Sequence, residues 1–205
     1  MSVTELDHPL AKDLLTSLRD RDTESPRFRE YAHRLGLLLV AEALTDIEVE
    51  ETKVQTPLEG GTGYRLGKPV VAVAVLRAGL GLLDSLLTLV PDAAIGFAGL
   101  QRDEETAEPI EYYSKFPEMG GARVLVLEPM LATGGSLSWA ITMTKQRGAT
   151  DITAVTVVSA PQGLEVIERD HPDIRVVTGS VDDDLDHNFY IRPGLGDMGD
   201  RLFGT

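Results

Sequence analysis

Apolar residues recur at helical spacing near the start of the chain. Leu10, Leu14, Leu15 and Leu18 form one stripe, with His8 and Pro9 just ahead of it. A second stripe of Phe28, Tyr31, Ala32, Leu35, Leu38 and Leu39 follows Ser25-Pro26, which reads as a capping serine and a first-turn proline. Residues 48–56 alternate with Thr and Val and predict a half-buried strand, while the glycine-rich stretch 60–68 reads as a turn between strands. From Val70 the pattern becomes strand and helix in alternation. Residues 70–76 are strand, 80–89 helix, 93–100 strand, 123–128 strand, 135–147 helix, 152–159 strand, 162–170 helix and 174–179 strand. Continuous apolar runs mark strands covered on both faces, as in a parallel sheet. The prediction is one α/β unit: a helical preface at 1–56, a core at 69–180 and a loop-rich tail at 181–205, without repeats or linkers.

Ligands of open α/β sheets bind outside the carboxyl ends of the strands. In this chain those ends carry polar or special residues: Arg77, Arg102, Glu128, Pro161 and Asp182 to Asp184. The richest is Val124-Leu-Val-Leu-Glu128-Pro129-Met130-Leu131-Ala132-Thr133-Gly134-Gly135-Ser136. A buried strand ends in an acid, and small residues then open a helix whose free N–H groups suit a phosphate monoester. The acid upstream can accept hydrogen bonds from sugar hydroxyls, so the pair reads as a ribose-5-phosphate site. No Lys follows the glycines, which separates the run from the ATP-binding P-loop.

Other motifs are weaker. Gly194-Leu-Gly196-Asp-Met-Gly199 matches the dinucleotide fingerprint, but too little chain follows it for a βαβ unit. It reads better as a tight loop that brings backbone amides and carbonyls close to a planar heterocycle. Asp182, Asp183, Asp184, Asp186 and His187 read as a solvated acidic loop, since the calcium-loop spacing is absent. His8, His33 and His171 are scattered, and Trp139 and Met143 read as core packing. Residues 101–117 are long for a structureless connection and read as a lid or arm, with Tyr112-Tyr113 meeting a ligand or a partner subunit.

The formal charge of −14 argues against a general nucleic-acid surface. A phosphorylated ligand then needs local basic ground, for which Arg77 and Arg102 are the candidates, or a divalent cation. With no cysteine, disulfides and thiolate chemistry are excluded. No apolar run reaches the ~20 residues of a membrane span, and Glu5 and Asp7 do not fit a secretory signal, so the cytoplasm is expected by elimination.

Four separated segments resemble the uracil phosphoribosyltransferase family across essentially the whole chain. They are Leu76-Arg-Ala-Gly-Leu-Gly81, Glu111-Tyr-Tyr113, Pro129 to Ser136, and Tyr190-Ile-Arg-Pro-Gly-Leu-Gly-Asp197; the closing Gly-Asp-Arg-Leu-Phe-Gly-Thr205 fits the same pattern. The resemblance implies a type I phosphoribosyltransferase fold: a mostly parallel central sheet flanked by helices, with a small hood from the chain ends. It implies transfer of the phosphoribosyl group of phosphoribosyl diphosphate (PRPP) to uracil N1, giving UMP and diphosphate. By the family pattern, Arg77 and Arg102 contact the diphosphate, and Glu128 through Ser136 hold ribose and 5-phosphate. Asp197 lies on the PRPP and Mg2+ side, while Ile191, Gly196, Asp197 and Met198 meet uracil. Arg102, Asp197 and Glu128 are the expected catalytic set, with Mg2+ carried by PRPP rather than by a protein cage. A homodimer or larger homo-oligomer is expected, and a GTP effector is an open expectation. Two residues depart from the pattern: Glu128 replaces the usual Asp, and Arg192 stands where an apolar residue is common. The rival readings are a phosphoribosyltransferase for another base and an RNA-binding regulator on the same fold.

Overall fold

The computed structural model describes residues 1–102 and 109–205; for residues 101, 102, 109 and 110 the description is confined to the backbone. In chain order the elements are β1 (Ser2–Glu5), α1 (Pro9–Arg19), α2 (Ser25–Ala43), β2 (Val49–Gln55), β3 (Gly60–Leu66) and β4 (Val70–Leu76). Next come α3 (Leu80–Leu89), β5 (Ala94–Arg102), β6 (Pro109–Lys115), β7 (Arg123–Leu127), β8 (Met130–Leu131) and α4 (Gly135–Gln146). The chain ends with β9 (Asp151–Ser159), α5 (Pro161–Asp170), β10 (Arg175–Val181), β11 (Asp184–Leu185), β12 (Ile191–Arg192) and α6 (Met198–Phe203).

The main sheet runs β1-β10-β9-β7-β4-β5-β6, with β8 beside β9. Every pairing in it is parallel except β5 with β6. The strand period of two divides the apolar runs between two cores. Ala72, Leu125, Leu127, Val155, Val157 and Val177 face the layer of α1, α2 and α3. Val71, Val73, Val75, Val124, Val126, Ala154 and Val176 face the layer of α4 and α5. Both faces being covered, the strands read as unbroken hydrophobic runs. At the amino ends of the strands, the buried Arg123 guanidinium donates to the Ala43 carbonyl (3.1 Å) and pairs with Asp46 (2.7 Å) and Asp151 (2.9 Å).

The structure differs from the sequence expectations at several places. β1 went unforeseen: four residues with mostly exposed side chains carry no periodic signal, and only pairing with β10 makes them a strand. Residues 60–66 form β3 rather than a turn, and β2 is largely exposed rather than half-buried. These two strands pair only with each other, in a hairpin apart from the main sheet. Part of the 101–117 segment is the edge strand β6; residues 103–108, at the centre of the expected lid, lie outside the described residues. Ser25 is the first residue of α2 and makes no side-chain cap, Glu24 holding the cap position. Trp139 and Met143 are half-buried on α4, and Trp139 packs against the core beneath that helix as expected. Among the described residues no helix is long and apolar enough to cross a membrane.

His171, at the C-terminal cap of α5, ties that helix to the first turn of α4. Its Nε2 lies 2.9 Å from the Ser138 carbonyl oxygen and 3.1 Å from the Ser138 hydroxyl, while Nδ1 lies 3.4 Å from the Lys145 ammonium. The carbonyl requires a donor at Nε2, and Lys145 requires an acceptor at Nδ1, so the ring is neutral. Burial holds its pKa below the ordinary histidine value. The unfolded chain therefore protonates first, near pH 6.5. Stability from this site is full above that pH and declines as pH falls through it. Chemical denaturation from about pH 7 to about pH 5.5 should show this decline in the wild type, and a smaller one in His171→Gln, whose amide still donates but does not titrate.

Candidate active site

The carboxyl ends of β4, β5 and β7 share one edge of the sheet, because parallel pairing aligns them. β4 ends at Leu76, and the chain turns through Arg77, Ala78 and Gly79 into α3; the Leu76–Arg77 peptide is cis. The turn presses on β7 so closely that a Cβ at Gly79 would lie 2.5 Å from the Leu127 carbonyl oxygen. Arg77 is thereby placed at the sheet edge. Its guanidinium pairs with Asp200 (2.9 Å) and lies 5.9 Å from the centre of the Phe203 ring.

Beyond β7, the Glu128 N–H donates to the Val155 carbonyl (3.1 Å), and the Pro129 carbonyl accepts from the Val157 (2.9 Å) and Val158 (3.1 Å) N–H groups. These bonds hold the turn to β9 before α4 begins. Gly134 caps α4 with φ of 84°, and a Cβ there would lie 2.9 Å from both the Gly163 carbonyl oxygen and Val166 Cβ. The next N–H donors head a twelve-residue helix. They lack intrahelical acceptors and sit at the positive end of the dipole, the arrangement that receives a phosphate.

The C-terminal segment closes the site from above. Asp186 Oδ1 accepts from the Asn188 (2.8 Å) and Tyr190 (2.9 Å) N–H groups, with Phe189 between them at φ of 64°. Those two amides hold the Asp186 carboxyl below the usual range. In β12, Ile191 points inward, whereas Arg192 is exposed opposite Asp184, so the unusual Arg192 side chain leaves the cavity unchanged. Asp197 caps α6 by accepting from the Asp200 N–H (2.9 Å).

These segments enclose a cavity of about 370 Å³. Its walls include Arg77, Glu128, Met130, Ala132, Ser136, Ile191, Gly196, Asp197 and Met198, all foreseen from the sequence. Pro129 and Leu131 are buried beneath it, and Thr133, Gly134 and Gly135 form the turn into α4. Arg102 ends β5 at the same edge, its side chain outside the described residues. The sequence reading missed Asn188, Phe189 and Tyr190 in the wall, and Asp200 as the partner of Arg77.

One expectation is corrected. Asp182 belongs to no solvated loop: it is 4% exposed and bound by Arg19 at 2.5 and 2.7 Å. Burial would raise this carboxyl, but the bonds from Arg19 and the Gly194 N–H hold it below the usual range. Asp183, Asp184 and His187 are exposed. Among the described residues no three His, Asp or Glu side chains gather as a metal cluster.

Comparison with known proteins gives the fold and the family. A solved hypoxanthine-guanine phosphoribosyltransferase of Bacillus anthracis covers 77% of this chain and 80% of its own, with a TM-score of 0.53 and 17% identity, a likeness of fold alone. The fold is that of the type I phosphoribosyltransferases. A solved Aquifex aeolicus protein superposes with a TM-score of 0.95 and 41% identity, over 99% of this chain and 98% of its own. The sequence pattern of the uracil phosphoribosyltransferase family matches residues 5–205. The uracil phosphoribosyltransferases of Salinibacter ruber and Thermus thermophilus are 49% and 46% identical over 100% of this chain, covering 98% and 100% of their own lengths. The chain belongs to the uracil phosphoribosyltransferase family, enzymes of pyrimidine salvage.

The left-handed backbone at Gly134 and its contact with α5 together give a stability prediction. Gly134→Ala should cost at least about 1–2 kcal/mol from backbone conformation alone. Urea denaturation would measure this, and a near-zero change would show that the turn relaxes freely.

Proposed function

We propose that this cavity transfers the 5-phosphoribosyl group of PRPP to uracil N1. The observation carrying the reading is one cavity walled by the 128–136 turn on one side and by residues 188–199 on the other. In this reading the amides of Thr133 to Ser136 hold the 5-phosphate, and Glu128 accepts from the ribose hydroxyls. Arg77 and Arg102 receive the diphosphate. Ile191, Gly196, Asp197 and Met198 offer main-chain groups to uracil.

As the bond from C1′ to diphosphate breaks, positive charge develops on the ribose ring and negative charge on the leaving oxygens. The Glu128 carboxylate favours the first, and the two arginines favour the second. Charges fixed in place before reaction need no reorganisation when the bond breaks. Uracil N1 then forms its bond to C1′ on the face opposite the departing diphosphate and gives up its proton to solvent.

Mg2+, if bound with the diphosphate, would neutralise part of its charge. The donor set fits: Asp197 and Glu128 both line the cavity and supply hard oxygen ligands, and Mg2+ favours one or two carboxylates together with substrate phosphates. A cytoplasmic setting belongs to the proposal, supported by a highly charged sugar donor that does not cross membranes unaided. Activation by GTP rests on the family resemblance and is tested by titrating GTP into the rate assay. A homodimer is supported by the β2–β3 hairpin, which exposes Val49, Val54, Leu58, Tyr64 and Leu66.

Magnesium-dependent conversion of labelled uracil to UMP tests the activity, with xanthine, adenine and orotate as competing bases. Asp197→Asn and Arg102→Ala should each lower turnover by roughly 10²–10³-fold. Asn still caps α6, so the first variant should retain its thermal midpoint. Wild-type turnover in either would refute the assignment. Light scattering should give a dimer mass, and Leu58→Asp with Tyr64→Asp should shift it toward the monomer.

A further inference from the structure

Gly194 lies at the centre of the turn that carries Ile191 and Gly196 to the cavity wall, yet an ion pair beyond the cavity, its carboxylate buried and its guanidinium partly so, holds it. The Gly194 N–H donates to Asp182 Oδ2 (2.8 Å), and its carbonyl accepts from Arg19 Nη1 (2.8 Å). Arg19 binds Asp182 through both guanidinium nitrogens, at 2.5 and 2.7 Å, and the Ser180 hydroxyl completes the carboxylate's partners at 2.9 Å. Both main-chain polar groups of one glycine thus close on a single ion pair. The next residue is held too: the Leu195 carbonyl accepts from Arg201 Nη1 (2.9 Å). Arg201 also donates to the Leu18 and Asp20 carbonyls and stacks on Phe28 at 4.3 Å.

The turn has little freedom of its own. Gly194 has φ of 59°, and a Cβ there would lie 2.0 Å from the Ile191 carbonyl oxygen. Tight closure sets the shape of the turn but not its position over the sheet. At Gly194 that position comes from Arg19, in the last turn of α1, and from Asp182, just beyond β10, with Arg201 holding the neighbouring Leu195.

We infer that Arg19 and Asp182 are positioning residues for the nucleobase, setting the height and tilt of the 191–196 backbone above the sugar site. The inference rests on the proposed uracil reading of that backbone. Neither residue lines the cavity, so each acts through Gly194. A displacement near 1 Å in such a wall can cost up to roughly 100-fold.

Removing one partner strands the other charge in a buried place and destabilises the fold, whereas replacing both with apolar residues of similar volume is often tolerated. The test is therefore the double variant Arg19→Met with Asp182→Leu, beside the milder Arg19→Lys. Steady-state kinetics would give KM for uracil and for PRPP separately, with the thermal midpoint measured in parallel. The expected result is a uracil KM raised roughly 10- to 100-fold in the double variant, a smaller rise in Arg19→Lys, and PRPP KM within about twofold of wild type. An unchanged uracil KM in either folded variant would overturn the positioning role. So would equal rises in both KM values, which general loosening produces. If the double variant does not fold, Arg19→Lys decides alone. Wild-type protein that makes no UMP would overturn the activity reading as well, and so marks a different failure.

Discussion

Parallel pairing of β10, β9, β7, β4 and β5 is the constraint from which the site follows. A parallel strand needs a crossover from one end of the sheet to the other, so every loop leaving a carboxyl end emerges at the same edge. Arg77, the Glu128 turn and the backbone of Arg102 are neighbours there although they are far apart in sequence. The same crossovers cover both faces of the sheet, which accounts for its unbroken apolar strands and its two separate cores.

Two different devices fix the walls of the cavity. At the turns after β4 and before α4, close backbone approach fixes the chain: Gly79 is pressed on β7 and Gly134 on α5, leaving no room for a side chain. Across the cavity, residues 184–196 have only short pairings of their own, and side chains from outside that segment hold it. Arg19 reaches the 191–196 turn from α1 and Arg201 from α6, and both donate to its main-chain carbonyls. Arginine suits this task because its fork makes several fixed bonds without losing its charge.

Charge is distributed to the same end. A chain with a formal charge of −14 that receives a diphosphate must concentrate cations where the anion sits. Arg77 is held at the cavity by Asp200, itself on the helix that Asp197 caps. The acidic residue thus steadies the arginine at modest electrostatic cost, since the pair is half-exposed and screened. Phe189 and Tyr190, half-exposed at the rim, add aromatic surface suited to a flat heterocycle.

What the sequence determined by itself was whatever depends on periodicity and on short-range chemistry. The strands and helices between Val70 and Gly179, β6 and β8 apart, were legible because their apolar runs and stripes extend over five to twelve residues. The phosphate turn was legible because acid, glycines and helix start lie within nine residues. Tertiary structure alone decided the rest. β1 and β6 are strands because a neighbouring strand completes their hydrogen bonds, and the β2–β3 hairpin stands apart because its side chains have no core to enter. Asp182 lay in an acidic run that resembled solvated surface; its burial depends on Arg19, 163 residues away, a distance over which local sequence carries no signal. Burying a charge requires a partner brought by the completed fold, so the hold on the 191–196 turn was invisible until the chain had closed on itself.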